Sequence, residues 1–159
     1  MYVARLQLEF SEPCLGNERF PDPLPNKMLR SGDGDVVFLQ AWWRTLIMNA
    51  ADSFGKHQTK CRDIRWSPEV KGAVTIVRRY YSVRTRKGVL KRYKEHESFD
   101  RGSIIEVQAL VPDDIPVSDF EEMLNLAGKF FGISPFGWKD GYGKFRLLKV
   151  ENTNGTKED

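Results

Sequence analysis

Two stretches of alternating apolar and polar residues, two stripes at helical spacing and a short strand before a proline occur in the order strand, helix, strand, strand, helix, strand once a final β-rich run is added. That order predicts an α+β domain of ferredoxin-like (RRM-like) build, βαββαβ, with an antiparallel sheet and two helices on one face. At 159 residues and 40% hydrophobic composition, the chain is long enough to close one core without staples. One domain is expected over residues 1–151, with an irregular Pro-rich loop at 11–34, an inserted basic hairpin at 72–99 and a polar tail at 152–159.

The first strand is Tyr2 to Phe10, where Ala4, Leu6, Leu8 and Phe10 fall on one face and Arg5, Gln7 and Glu9 on the other. Ser11 to Gly34 carries Pro13, Pro21, Pro23 and Pro25 with Gly16, Gly32 and Gly34, a composition that reads as loop. Val36 to Leu39 is a short apolar run able to pair as a strand. Gln40 to Phe54 is predicted helical, with Trp43, Leu46 or Ile47, Ala50 and Phe54 on one stripe and Gly55 as its stop. Its tryptophans are expected in the core, since a buried indole removes a large apolar area from water. Lys60 to Val70, with Ile64 and Trp66, reads as a strand ended by Pro68. Ser103 to Val111 alternates cleanly, with Ile105, Val107, Ala109 and Val111 inward and Glu106 and Gln108 outward. A second helix follows, with Ser118 and Glu121 spaced as a capping box and a stripe of Phe120, Met123 or Leu124, Ala127 and Phe131. The last strand is predicted over Lys144 to Glu151.

Charge is unevenly placed. The net charge is only +3, yet Lys71 to Lys94 holds nine Lys or Arg and no Asp or Glu, so the rest of the chain is acidic overall. Two β-rich runs there flank Arg86-Lys87-Gly88, which reads as a hairpin. One face would carry Val77, Arg79, Tyr81 and Val83, and the other Arg78, Tyr80 and Arg84. Such a ribbon suits a polyanion: Arg78, Arg79, Arg84, Arg86, Lys87, Lys91 and Arg92 can neutralise phosphates while Tyr80, Tyr81 and Tyr93 offer stacking faces.

The second helix runs into a turn punctuated by Gly132, Gly137, Gly141 and Gly143, with Trp138, Lys139 and Tyr142 among them. Glycines are needed where backbone takes positive φ or approaches another backbone closely. Ala127-Gly128-Lys129-Phe130-Phe131-Gly132-Ile133 followed by Gly141-Tyr142-Gly143-Lys144-Phe145 resembles the C-terminal end of the RAMP superfamily, the repeat-associated RNA-binding proteins of CRISPR systems. The resemblance covers about thirty residues of the 159. It implies a ferredoxin-like fold, a place in antiviral defence, and a glycine-rich loop, here Gly137, Trp138, Lys139, Gly141, Tyr142 and Gly143, lying against RNA. The chain departs from many relatives in having one ferredoxin-like unit rather than two, and Lys139 is the only basic residue inside the loop.

Cofactor chemistry finds no support in the sequence. Cys14 and Cys61 lack zinc spacing, and His57 with Cys61 would give two ligands where three or four are needed. There is no phosphate-binding Walker loop, no Gly-x-Ser-x-Gly and no carboxylate pair. No cofactor or metal is expected, and no signal peptide or apolar span is read, so a soluble cytoplasmic protein is the default. The leading expectation is a non-catalytic protein that binds RNA or single-stranded DNA, alone or within a nucleoprotein complex. A metal-independent RNA-processing endonuclease would need a base and an acid near the scissile phosphate, and His57 is its candidate. A protein-interaction module, for instance a phage-type inhibitor whose hairpin docks on an acidic surface, is the third class. His96, between Glu95 and Glu97, is expected at the surface.

Overall fold

The computed structural model describes residues 1–18 and 26–153. Pro21, Pro23 and Pro25 of the expected loop, and 154–159 of the expected tail, lie outside the described residues. The elements are β1 (Tyr2–Phe10), β2 (Cys14–Leu15), α1 (Gln40–Phe54), β3 (Arg65–Trp66), β4 (Thr75–Thr85), β5 (Gly88–Phe99), β6 (Ile104–Val111), α2 (Val117–Leu126) and β7 (Phe145–Thr153). They form an α+β fold with two antiparallel sheets, one ordered β3-β6-β1-β7 and the other β2-β5-β4. The first order is consistent with the ferredoxin-like arrangement expected from the segment sequence. The second sheet is the expected hairpin, β4 and β5, with an added strand that was not expected: β2 pairs Cys14 with Phe99 and Leu15 with Ser98, which ties the root of the hairpin to the loop after β1.

Alternation decides which faces meet. Ala4, Leu6, Leu8 and Phe10 of β1 and Ile105, Val107, Ala109 and Val111 of β6 are all buried, and α1 and α2 cover them with Trp43, Leu46, Ile47, Ala50, Phe120, Met123 and Leu124. Trp43 stacks on Trp66 at 4.2 Å with planes 7° apart, so the first helix is pinned to the edge strand β3. Gln40 closes the same edge by bonding the backbone of Trp66 through both its amide oxygen and nitrogen. Gly55 takes a left-handed φ of 84° and caps α1, as its position predicts.

Several expectations are corrected. Val36–Leu39 is not a strand; Val36 and Phe38 are buried, and the segment makes only single bridges to Arg30 and Glu69. Lys60–Val70 forms a 3-10 turn at Lys60–Asp63 and a two-residue strand, because Cys61 and Ile64 must both reach the core, a spacing that alternation does not supply. The second helix starts one residue before Ser118, with Pro116 at the cap and no side-chain capping bond. The final strand continues to Thr153, paired with Val3, beyond the expected end at Glu151.

The two ends of β1 define two sites. At its end, Phe10 stacks on Phe99 at 6.0 Å and meets Phe145 edge-on at 6.4 Å, so the hairpin root and the start of β7 converge there. At its beginning, the Tyr2 hydroxyl donates to the Ile115 carbonyl at 2.7 Å, beside the start of α2. With about 3.3 Å per strand residue, these ends lie on the order of 25 Å apart.

Candidate nucleic-acid interface

β4 and β5 pair from Thr75–Ser98 to Thr85–Gly88, leaving Arg86 and Lys87 as the turn. The eleven paired positions make a ribbon on the order of 30 Å long. Gly88 at φ 124° lets the chain reverse, and the Thr85 hydroxyl braces the turn by donating to Gly88 O at 2.9 Å. Residues opposite one another share a face. One face carries Val77–His96, Arg79–Lys94, Tyr81–Arg92 and Val83–Leu90; the other carries Ile76–Glu97, Arg78–Glu95, Tyr80–Tyr93, Ser82–Lys91 and Arg84–Val89. The expected alternation of β4 is therefore present, and both faces mix cations with aromatic rings.

The second face is the more open. Tyr80 is 63% and Tyr93 47% exposed, with ring centroids 5.8 Å apart, and the Arg78 guanidinium lies 4.3 Å from the Tyr93 centroid. Arg78 reaches Glu95 only at 3.9 Å, an exposed pair of little energetic weight. Arg84, Arg86, Lys87, Lys91 and Arg92 have no ion-pair partner among the described residues. Their charge is free to meet an external anion.

At the root, the first face packs onto the glycine turn. Arg79 stacks on Phe136 at 4.5 Å and on Tyr81 at 5.5 Å. Its Nε donates to His96 Nε2 at 3.2 Å, which leaves His96 Nδ1–H to donate to Gly16 O at 2.7 Å. The expectation of a surface His96 is therefore wrong: the ring is fully buried, 4.9 Å from Phe136. It lies on the strand face that Phe136 and Gly16 cover at the hairpin root, and the two flanking glutamates fall on the opposite face. Burial, with Arg79 and Lys94 nearby, holds its pKa below the ordinary histidine value despite the Gly16 bond. Phe136 and His96 are the site residues that sequence reasoning missed.

In the glycine turn, Gly132, Gly137, Gly141 and Gly143 all have positive φ. The reasons differ. A Cβ on Gly143 would overlap the Ile133 carbonyl, and one on Gly132 would come within 2.9 Å of the Gly143 carbonyl carbon, because two backbone segments cross there. Ile133 N–H to Gly143 O at 2.9 Å and Gly143 N–H to Pro13 O at 2.8 Å fix the crossing. These glycines serve the protein's own backbone. Gly137 lies over the Tyr142 ring, whereas Gly141 faces open space. Trp138, Lys139 and Asp140 form a short 3-10 turn between Gly137 and Gly141, with Trp138 37% exposed and Lys139 Nζ 5.6 Å from its ring.

His57 is elsewhere. It follows α1 at φ 66° and its Nε2 lies 2.8 Å from Asp119 Oδ2 in the first turn of α2, at the Tyr2 end of the sheet. The structure thus brings hairpin and glycine turn together and leaves His57 apart from both. Among the described residues, no cluster of three or more His, Cys, Asp or Glu could hold a metal, and no helix is long and apolar enough to cross a membrane. Both cysteines are buried, and burial pushes the Cys61 thiol up to about 11 and Cys14 higher still.

No protein-family model and no curated protein sequence matches the chain. Among solved structures, it is similar to a chain in the cryo-EM structure of the Type III-B Cmr-beta bound to cognate target RNA, with a TM-score of 0.68 and 8% sequence identity. The match covers 98% of this chain and 61% of that one, so this chain spans about three-fifths of the length of its structural counterpart. At that identity the likeness is one of fold.

Proposed function

We propose that the chain is a non-catalytic single-strand-binding subunit of RAMP-like, ferredoxin-like build, taking RNA first and single-stranded DNA second, within a nucleoprotein assembly of the CRISPR type. The observation that carries this reading is the hairpin: five cations without internal partners, interleaved with exposed Tyr80 and Tyr93, on a ribbon rooted in the glycine turn. Cations set along a strand suit a phosphate backbone, and flat rings between them suit unstacked bases, a pairing that a duplex cannot use. Support for RNA comes from the fold likeness to a chain of an assembly bound to target RNA. Support for binding without cleavage comes from His57, held by Asp119 at the far end of the sheet from the hairpin.

Fluorescence anisotropy with labelled RNA, single-stranded DNA and duplex at two salt concentrations tests the reading. Binding to RNA and single strands above duplex, weakening with salt, is expected; equal binding to duplex would remove the role of the tyrosines. A second reading has its own observation. Val89 and Leu90 at the tip are 63% and 47% exposed beside Arg86 and Lys87, as a hairpin docking on an acidic protein surface would require. That reading predicts no affinity for any nucleic acid at moderate salt.

A further inference from the structure

Trp42, Thr45, Leu46 and Asn49 recur at the spacing that puts residues on one helix face, and in α1 that face borders the glycine turn, with Leu46 at its edge also reaching the core. Between it and Phe131, Gly132, Ile133 and Trp138 lies a cleft of about 100 Å³. Its walls include two indoles, Trp42 half-buried and Trp138 exposed at the rim. The Asn49 side chain makes no hydrogen bond among the described residues, so an amide with two donors and an acceptor lines an otherwise mainly apolar space. Lys139 adds a positive charge beside Trp138, and Trp138 stands two residues beyond Phe136, the ring on which Arg79 of the hairpin stacks.

We propose that this cleft is a nucleobase slot, taking one unpaired base of the strand that the hairpin holds. This rests on the reading of the hairpin as a single-strand binder and extends it to a second, separate point of contact. The chemistry suits a base. A flat ring gains from an indole face, the hydrogen-bonding edge meets Asn49, and the adjoining phosphate meets Lys139. A cleft of this size admits a single planar group and excludes a helix or strand, which favours a base over a folded partner.

The test uses single strands carrying 2-aminopurine at one position at a time, whose fluorescence falls when the base stacks. The wild-type protein should quench one position strongly through the slot, distinct from any position whose quench is lost in Tyr80→Ala. Trp138→Ala should abolish that quench and weaken strand binding about 5- to 150-fold, the range of a lost base–aromatic stack, with the salt dependence unchanged. Asn49→Leu, which keeps the shape, should lower affinity while retaining the quench, and Trp138→Phe should restore most of the binding. If Trp138→Ala binds and quenches like wild type, the slot is refuted while hairpin binding stands. If the wild type binds no single strand, both readings fall. If free 2-aminopurine ribonucleotide is quenched as strongly as the strand, and Tyr80→Ala leaves strand quenching unchanged, the cleft is a mononucleotide site and the proposal is wrong.

Discussion

The Arg79 guanidinium lies 4.5 Å from the centroid of Phe136, and its Nε donates to His96 at 3.2 Å, so one side chain joins the basic hairpin to the glycine turn. A two-stranded ribbon is marginal by itself in water, and its direction depends on what grips its root. Phe136→Ala should cost about 1–2 kcal/mol, combining a partly desolvated cation–π contact with lost packing. Amide exchange should quicken in Val77–Tyr81 and Lys94–His96 more than in β1 or β6. Uniform exchange throughout would mean that the contact does not orient the hairpin.

The glycines separate by mechanism. Gly143→Val should prevent stable folding, since the new side chain meets the Ile133 backbone as well as an unfavourable φ of 79°. Gly141→Ala meets nothing within 4 Å and bears only the positive φ, a strain of about 1–2 kcal/mol. Thermal denaturation of the two variants distinguishes them, and equal stability would show the backbone crossing to be slack.

Burial and the neighbouring Arg79 and Lys94 keep His96 neutral in the folded chain at a pH where the unfolded chain binds a proton. Stability should therefore fall as pH drops below about 6.5, the unfolded histidine value, and level off below the lowered folded one. Glu97 acts lower. Although burial raises its pKa, the Arg30 ion pair at 2.5 Å and the Met28 N–H bring it below the ordinary glutamate value, so its contribution is lost only as pH falls through that depressed value. Urea midpoints at pH 7.5 and 5.5 should differ in wild type and converge in His96→Gln, provided that variant folds; Arg79→Met, which removes the facing charge, should narrow the difference. An unchanged difference in both would place the titrating group elsewhere.

The elements with strong periodicity were legible because one physical rule governs them. Leu6, Leu8, Ile105 and Val107 must face the helices, so their alternation survives in the sequence. The hairpin faces were legible because successive side chains of any strand alternate, although neither face of β4 is buried. His96 was not, because its flanking glutamates mark a surface strand, and only pairing of Ser98 with Leu15 reveals that this face turns inward. Phe136 carried one signal, a large apolar residue inside a glycine-rich turn, but its partner lies far away in sequence. Trp42 and Trp43 look alike in the sequence; the helix geometry sends Trp43 to the core and Trp42 to the cleft. Val36–Leu39 misled because a short buried run has no period to distinguish strand from loop.

Incubation with structured and unstructured RNA, with and without divalent metal, should leave the RNA intact. His57→Ala should then change stability through the lost Asp119 pair and leave strand affinity unaltered. Specific cuts that vanish in this variant would make the protein a nuclease.

Salt dependence of RNA binding tests the central claim most directly. If the hairpin cations follow phosphates, log affinity should fall linearly with log salt, with a slope of about −0.7 per neutralised phosphate on a single strand. Arg86→Ala with Lys87→Ala should flatten that slope by about 1 to 1.4 and weaken all sequences alike, whereas Tyr80→Ala should weaken binding at an unchanged slope. A wild-type protein whose RNA affinity is insensitive to salt, or whose slope survives the loss of Arg86 and Lys87, would contradict the assignment of the hairpin as the nucleic-acid interface.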